Sequence, residues 1–419
     1  MDELRIDLIA IGDELLVGHT LDTNSHWIAR RLVENGLRLR RLIWSSDQES
    51  DILANLSSSW KEADVVIFTG GLGPTHDDIT RPAIAGFFSD QLIYNKEIAD
   101  SIRRRYLRRG IASAPGWEAM AMFPKQASPI PNEHGAAPGI HYMLDDKELY
   151  AVPGVPIEMR GMLDEYIIPR LIARRKGTFQ YCLIRTTGIG ESHLAALIGD
   201  PRDLEPIKLA FLPSVETGVT LRLSCFARTP EEASAALAES TNKVTAKITP
   251  YIYGMDEQPL EAAILDLMRQ RKLKIAVAES CTGGMICSRF VSVPGSSDVL
   301  ERGYITYSND AKRELLGVSE ETLNQHGAVS AETAREMAHG ARERASVDLG
   351  LAVTGIAGPS GGSVEKPVGL VYIGISDSTG TDTVRYQFAG DREDNRRRAT
   401  LAALTLIYNR IKSQDANEA

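Results

Sequence analysis

The opening of this 419-residue chain constrains its fold most, because apolar runs and amphipathic stretches alternate there at short intervals. Leu4–Ile11 (LRIDLIAI) reads as a strand, Asn24–Glu34 as a helix with Ile28, Leu32 and Val33 on one face, and Leu37–Trp44 as a second strand. A helix from about Ser50 to Glu62 then leads into Asp64–Thr69 (DVVIFT), a short continuous apolar run expected of a strand covered on both faces. This βαβαβ order predicts a parallel sheet with helices on both faces. Such sheets place ligands in the loops beyond the carboxyl ends of their strands.

Three loops occupy that position: Gly12-Asp13-Glu14-Leu15-Leu16, Ser45-Ser46-Asp47, and the string from Gly70 to Asp78, GGLGPTHDD. Glycines at 70, 71 and 73 let a backbone approach an anion, and a helix starting near Asp78 would add the partial positive charge of its N-terminus. Glu14, Asp77 and Asp78 supply hard oxygen donors suited to Mg²⁺ or Mn²⁺ bridging phosphates. Asp78 is equally suited to capping a helix, and His76 reads as a loop residue. The string matches neither common phosphate-loop pattern.

Further on, Ala127–Pro138 reads as a loop-rich insertion, Ile140–Val152 as a hairpin turning at Asp145-Asp146, and Pro153-Gly154-Val155-Pro156 as the opening of a helix to about Ala173. A basic break at Arg174-Arg175-Lys176-Gly177 and a second break near Gly254–Pro259 divide the chain into 1–173, 174–254 and 255–419. The middle part holds two helices and three short strands, which is too little for another doubly wound sheet and reads as a compact α+β connector. The last part begins with a helix at Leu260–Arg271 and a strand at Lys274–Ala278.

In that last part Ala278-Glu279-Ser280-Cys281-Thr282-Gly283-Gly284 follows the strand and starts a helix. A tight strand-to-helix turn exposes a small nucleophile beside glycine amides that can hold an oxyanion. Ser280 and Cys281 are both candidates, and both have plain structural roles open to them, as a helix cap and as a small packed residue. No Ser-His-Asp set is evident. The candidate base is Lys312 in YITYSNDAK, since a buried lysine can be neutral near pH 7. A third element, Thr354-Gly355-Ile356-Ala357-Gly358-Pro359-Ser360-Gly361-Gly362, follows the apolar run 349–353 and reads as a cradle for phosphate or sugar.

Composition narrows the remaining possibilities. The chain is 43% hydrophobic with net charge −9, which excludes a disordered chain and argues against nucleic acid as the main partner. No run approaches a membrane span, and the first residues lack the order of a signal peptide, so a cytoplasmic protein is expected. Cys182, Cys225, Cys281 and Cys287 form no Cys-x-x-Cys pair. The strongest basic cluster, SIRRRYLRRG from Ser101 to Gly110, reads as an exposed helix face.

IGDELLVGHTLDTNS (Ile11–Ser25), FTGGLGPTHDDIT (Phe68–Thr80) and PGVPIEM (Pro153–Met159) resemble the N-terminal domain of the CinA (competence/damage-inducible protein A) family, which has a molybdopterin-binding-like fold. AESCTGG, ERGYITYSNDAK, QHGAVS, GIAGPSGG, EKPVGLVYIG and FAGDREDNRRRA resemble, in order and spacing, the family's C-terminal domain, which also occurs alone as nicotinamide-nucleotide amidase. The resemblance implies two three-layer α/β domains joined by a small α+β connector that the family describes as KH-like. Where KH domains carry a Gly-x-x-Gly clamp, this chain reads Thr187-Gly188-Ile189-Gly190-Glu191, so nucleic-acid binding there is not expected.

For the C-terminal domain the resemblance implies hydrolysis of nicotinamide mononucleotide to nicotinate mononucleotide and ammonia without a cofactor. Ser280 would be the nucleophile, Lys312 its base, Tyr307 a positioner of the lysine, Thr354 a hydroxyl of the site, and Gly283 and Gly284 the oxyanion donors. Gly355, Gly358, Gly361, Gly362, Arg392 and Arg396 would bind substrate, the arginines at its phosphate. For the N-terminal domain it implies metal-dependent cleavage of ADP-ribose to AMP and ribose 5-phosphate. Gly12, Asn24, Gly70, Gly71, Gly73 and Thr75 would hold substrate, and Glu14, Asp77 and Asp78 a divalent metal. A homodimer is expected. The alternatives are a molybdopterin-precursor binder and a non-enzymatic recruitment protein in competence or DNA damage.

Overall fold

The computed structural model describes residues 3–108, 110 and 116–418, and its chain divides into two compact units, 1–180 with 225–236 and 181–224 with 237–419. In the first unit β1 (Ile6–Ile11), β2 (Leu39–Ser45) and β3 (Val65–Thr69) form the expected parallel sheet, with β1 central and Ile9 opposite both Ile43 and Phe68. Every residue of β1 and β3 is buried, as two-sided cover requires. A small antiparallel pair follows, β4 (Leu92–Tyr94) with β5 (Met122–Pro124). The main sheet is completed by β6 (Ser128–Ile130), β7 (Gly139–Leu144) and β8 (Lys147–Val152) in the order β2-β1-β3-β8-β7-β6.

β8 runs parallel to β3, whereas β7 and β6 are antiparallel. The segment expected to be irregular therefore contributes an edge strand, three residues long. Its Pro129 explains why alternation does not reveal it, since proline is tolerated at a sheet edge and interrupts any strand pattern. The hairpin turns at Asp145-Asp146 as expected. The helix opened by Pro156 continues through a wider-wound stretch, Leu163–Ile167, to Arg174.

The middle sheet has the order β10-β11-β9-β12, from β9 (Thr178–Thr186), β10 (Lys208–Ser214), β11 (Gly218–Ala227) and β12 (Ile252–Met255). β12 lies where the sequence suggested only a boundary. Four residues with a glycine carry too little pattern to read, and the strand is defined by its pairing with β9.

The C-terminal sheet orders β13 (Ile275–Glu279), β14 (Leu300–Ile305), β15 (Leu349–Gly355), β16 (Leu370–Asp377) and β17 (Gly380–Gln387) as β14-β13-β15-β16-β17. The first three are parallel, and β16 and β17 return antiparallel. Helix Ala331–Ala345 packs on one face and helices Leu260–Gln270 and Arg392–Glu418 on the other, giving three layers. Helix Ala331–Ala345 approaches so closely that a side chain at Gly350 or Gly374 would strike the carbonyl oxygen of Ala338 or Ala334. No helix among the described residues is long and apolar enough to cross a membrane.

Candidate functional site

The register of β13 with β14 decides the geometry of the C-terminal site. Glu279 lies opposite Ile305, and the Thr306 amide donates to the Glu279 carbonyl at 2.8 Å, so the two strands end side by side. Ser280 leaves one strand, and helix Asn309–Leu316, capped by Ser308, begins just past the other. Lys312 in its first turn therefore folds back over the strand ends. It is 1% exposed, and its Nζ lies 3.3 Å from Ser280 Oγ and 2.8 Å from the Thr306 carbonyl oxygen. A longer contact, 3.5 Å, reaches the Ser308 carbonyl. Burial pushes the lysine below its ordinary pKa. A neutral amine has two hydrogens for the two carbonyls and a lone pair for the serine hydroxyl.

The Ser280 turn is fixed from both sides. Gly283 and Gly284 have φ +59° and +100°, a region that side chains other than glycine rarely enter. Glu279, fully buried, accepts the amides of Gly284 (2.9 Å), Ile286 (3.1 Å) and Cys287 (2.9 Å). Gly284 is thus not an oxyanion donor: its hydrogen is taken by the carboxylate. The amides of Thr282 and Gly283 have no acceptor among the described residues, leaving Gly283 and its predecessor free for that role, whereas the Cys281 amide turns to its own thiol. Cys281 is buried and its thiol is pushed up to about 12, so it is a packed thiol and not a thiolate.

Several other expected residues sit elsewhere than their roles suggested. Tyr307 is 65% exposed, and its hydroxyl accepts from Arg392 at 3.2 Å. It makes no bond to Lys312, which is held by the carbonyls on either side of it. Thr354 is buried and donates to the Ala328 carbonyl at 2.6 Å, a latch between β15 and the loop before helix Ala331–Ala345. Arg396 spends Nε on the Cys281 carbonyl, one terminal nitrogen on the Thr282 carbonyl and the other on Glu393. It clamps the turn, with each of its three nitrogens engaged by the protein. Arg392 bonds the Gly358 carbonyl at 2.7 Å and tethers the loop beyond β15, in which Gly361 and Gly362 are exposed. Gly355 is still within β15, tight against β16.

Glu279 is the residue that motif reading missed. An acidic residue at the end of an otherwise apolar strand, just before a Ser-Cys-Thr-Gly-Gly turn, was the available signal.

In the first unit a cavity of about 500 Å³ lies beyond the carboxyl ends of β1, β3 and β8, bordered by the glycine string and by Glu14, Asp47, Asp77, Asp78 and Glu158. The string does not present its amides to this cavity. The amides of Gly12, Gly70, Gly73 and Thr75 donate to Ser45, Val152 and, for the last two, Asp78. The Gly71 amide has no acceptor among the described residues. A side chain at Gly70 would meet the Ile11 carbonyl oxygen at 2.5 Å, so this glycine lets β1 and β3 close together. Asp78 accepts the Gly73 and Thr75 amides, each at 2.8 Å, and the Thr75 hydroxyl. It ties the loop and does not cap the following helix, which begins at Thr80.

Asn24 is likewise committed, donating to the Gly154 carbonyl at 2.7 Å. Arg81, buried, holds the Leu72 and Ala119 carbonyls and is pulled down to about 10 by burial. Glu14, Asp77 and Asp78 border one cavity, but no group of three acidic, His or Cys side chains among the described residues stands at metal-binding range. Burial and the neighbouring Asp13, Glu14 and Asp77 raise the Asp47 carboxyl above its ordinary value, opposed by the Asp13 amide. His76 is a fully exposed loop residue.

In the basic cluster, Arg103 and Arg104 are exposed, while Arg105 is half-buried against the Gly135 carbonyl and Glu133. Arg109 lies outside the described residues, and the side chain of Arg108 is not described.

Three family models match in chain order: a probable molybdopterin binding domain at 7–173, the damage-inducible protein CinA KH domain at 183–254, and the CinA C-terminal domain at 257–411. A putative competence-damage inducible protein of Caldicellulosiruptor saccharolyticus is 39% identical over 412 residues, covering 97% of this chain and 99% of its own. A CinA-like protein of Geobacter sulfurreducens is 39% identical over 411 residues, covering 97% of this chain and 99% of its own. Among solved structures, the competence/damage inducible protein CihA from Agrobacterium tumefaciens is 44% identical, spans 35% of this chain and 90% of its own, and has a TM-score of 0.35.

Proposed function

Because the chain belongs to the CinA family, we propose that its C-terminal part is an amidase that hydrolyses the carboxamide of nicotinamide mononucleotide, with Ser280 as nucleophile and Lys312 as base. The observation that carries the reading is the fully buried Lys312 amine 3.3 Å from the Ser280 hydroxyl, held by carbonyls and with no carboxylate to charge it. A solvated helix lysine has no reason to be placed so.

Lys312 Nζ takes the Ser280 proton as Oγ bonds to the carboxamide carbon, and the oxyanion is received by the free amides of Thr282 and Gly283. The C–N bond then breaks, ammonia leaves with the proton returned by Lys312, and water cleaves the acyl ester by the same proton path in reverse. Arg392, exposed beside Tyr307, is the cation placed to meet a substrate phosphate. Arg396 keeps the turn in shape. The test is ammonia release from nicotinamide mononucleotide by the full chain and by Ser280→Ala, Cys281→Ala and Lys312→Ala. The serine and lysine variants lose at least a thousandfold in kcat, and Cys281→Ala keeps most of it. Silence of the parent protein, or loss in Cys281→Ala with Ser280→Ala intact, overturns the reading.

The ring of carboxylates around the first unit's cavity favours a second activity, divalent-metal-dependent cleavage of ADP-ribose to AMP and ribose 5-phosphate. Hard oxygen donors and the upward push on Asp47 suit a cation in charge and donor type. Glu14 and Asp77 are the residues that would hold it, while Asp78 keeps the loop closed. A bound metal would supply charge neutralisation at the pyrophosphate.

A further inference from the structure

A cavity of about 590 Å³ within the second unit, away from the Ser280 turn, belongs to neither proposed activity. One wall is the helix Arg392–Glu418, through Arg398, Leu401 and Thr405; another is the loop Thr187–Gly190, with the aromatic pair Tyr386 and Phe388 of β17 alongside. The volume falls in the range of small-molecule sites. The two rings, on one face of the edge strand, lie nearly parallel, with centroids 5.5 Å apart and planes 11° apart. They offer a flat apolar surface of the kind on which another planar ring stacks.

Arg398 supplies the charge. Its neighbours Arg396 and Arg397 are paired with Glu393, and Arg397 also with Glu216. Arg398 has no hydrogen-bond or ion-pair partner among the described residues, and its Nε is fully buried. Arg398 lines the cavity half-buried, and its terminal nitrogens, without a partner among the described residues, are the donors an anion in this space would meet. The loop that stands where KH domains clamp a nucleic-acid backbone is closed against this helix, with the hydroxyls of Thr187 and Thr405 bonded at 2.5 Å. The space therefore suits a molecule and not a strand. We propose that this cavity binds a small aromatic acid, a planar ring bearing one carboxylate or phosphate, with the ring on Tyr386 and Phe388 and the anion on Arg398.

The test is calorimetric titration of the full chain with 2-naphthoate, 1-naphthyl phosphate and the uncharged 2-naphthamide. One or both anions bind at one site at least tenfold more tightly than the amide, which also tells carboxylate from phosphate. Arg398→Gln removes that preference and Arg398→Lys retains part of it. Ala402→Trp, which fills the space from the helix side, blocks all three probes, and Arg392→Gln leaves binding in place. Absence of binding, equal affinity for anions and amide, or binding lost in Arg392→Gln but kept in Arg398→Gln overturns the proposal. If Arg398→Gln does not fold, the Ala402→Trp and Arg392→Gln titrations decide between the two locations.

Discussion

Replacing Glu279 by glutamine tests how the nucleophile turn is held. Its Oε2 accepts the amides of Gly284 and Ile286 and its Oε1 that of Cys287, all at about 3 Å and in a fully buried position. Glutamine has one oxygen, which keeps two of these bonds and turns an NH₂ group toward the third amide. One buried donor left unmade costs about 1–3 kcal/mol. Loss of negative charge at the start of helix Met285–Val291 adds up to about 1 kcal/mol. The expected destabilisation of about 1–4 kcal/mol corresponds to a fall of roughly 2–16 °C in the thermal transition of a unit this size. All four tryptophans, Trp27, Trp44, Trp60 and Trp117, lie in the first unit, so their emission is an internal reference while far-UV circular dichroism reports both units. The dichroism transition moves, the tryptophan transition does not, and kcat for ammonia release falls with little change in KM. An unmoved dichroism transition would refute the account of the turn.

The pH dependence of Lys312 has a definite sign. Burial lowers its folded pKa, so the unfolded chain holds a proton that the folded one gives up; the penalty is absent above the ordinary lysine value of 10.5, grows as pH falls toward the depressed folded value, and is constant below it. The stability of Lys312→Met relative to the parent therefore rises as pH is lowered through that window, by at most about 1.4 kcal/mol per pH unit. Denaturant titrations of both proteins from pH 7 to 11 check it, and a pH-independent difference contradicts a buried neutral lysine. Ammonia release rises with pH through the depressed value and levels off below the ordinary lysine value of 10.5. In the first unit, Asp78→Asn strands one of the Gly73 and Thr75 donors at a cost of about 1–3 kcal/mol, read by tryptophan emission. Metal-dependent AMP formation from ADP-ribose falls with it, and unchanged turnover removes the loop from that site.

The strand-end loops that hold the candidate residues were legible where the signal is local. Ser280 sits at the end of an apolar strand, Lys312 in a polar helix beginning after the next one, and the glycine string after DVVIFT; each marks a strand end in a parallel sheet. Roles assigned within those loops fared unevenly. Tyr307, Thr354, Arg396, Gly73 and Thr75 are polar or flexible residues near the sites, yet each is bonded to the protein itself. A motif identifies which groups are near a site and is silent on where their hydrogen bonds go.

The sequence alone determined the βαβαβ opening, the order of the three family domains and the strand ends at which the candidate loops lie, because periodicity and turn residues are properties of neighbouring positions. Tertiary structure alone decided that Ser280 meets Lys312 across thirty-two positions, since the contact depends on the register of β13 with β14. It alone withdrew the Gly284 amide from catalysis and left the Arg398 guanidinium without a partner. Burial and the pairing of individual donors are set by segments distant in the chain, and no local pattern encodes that Arg396 will find carbonyls and Arg398, two positions on, will not.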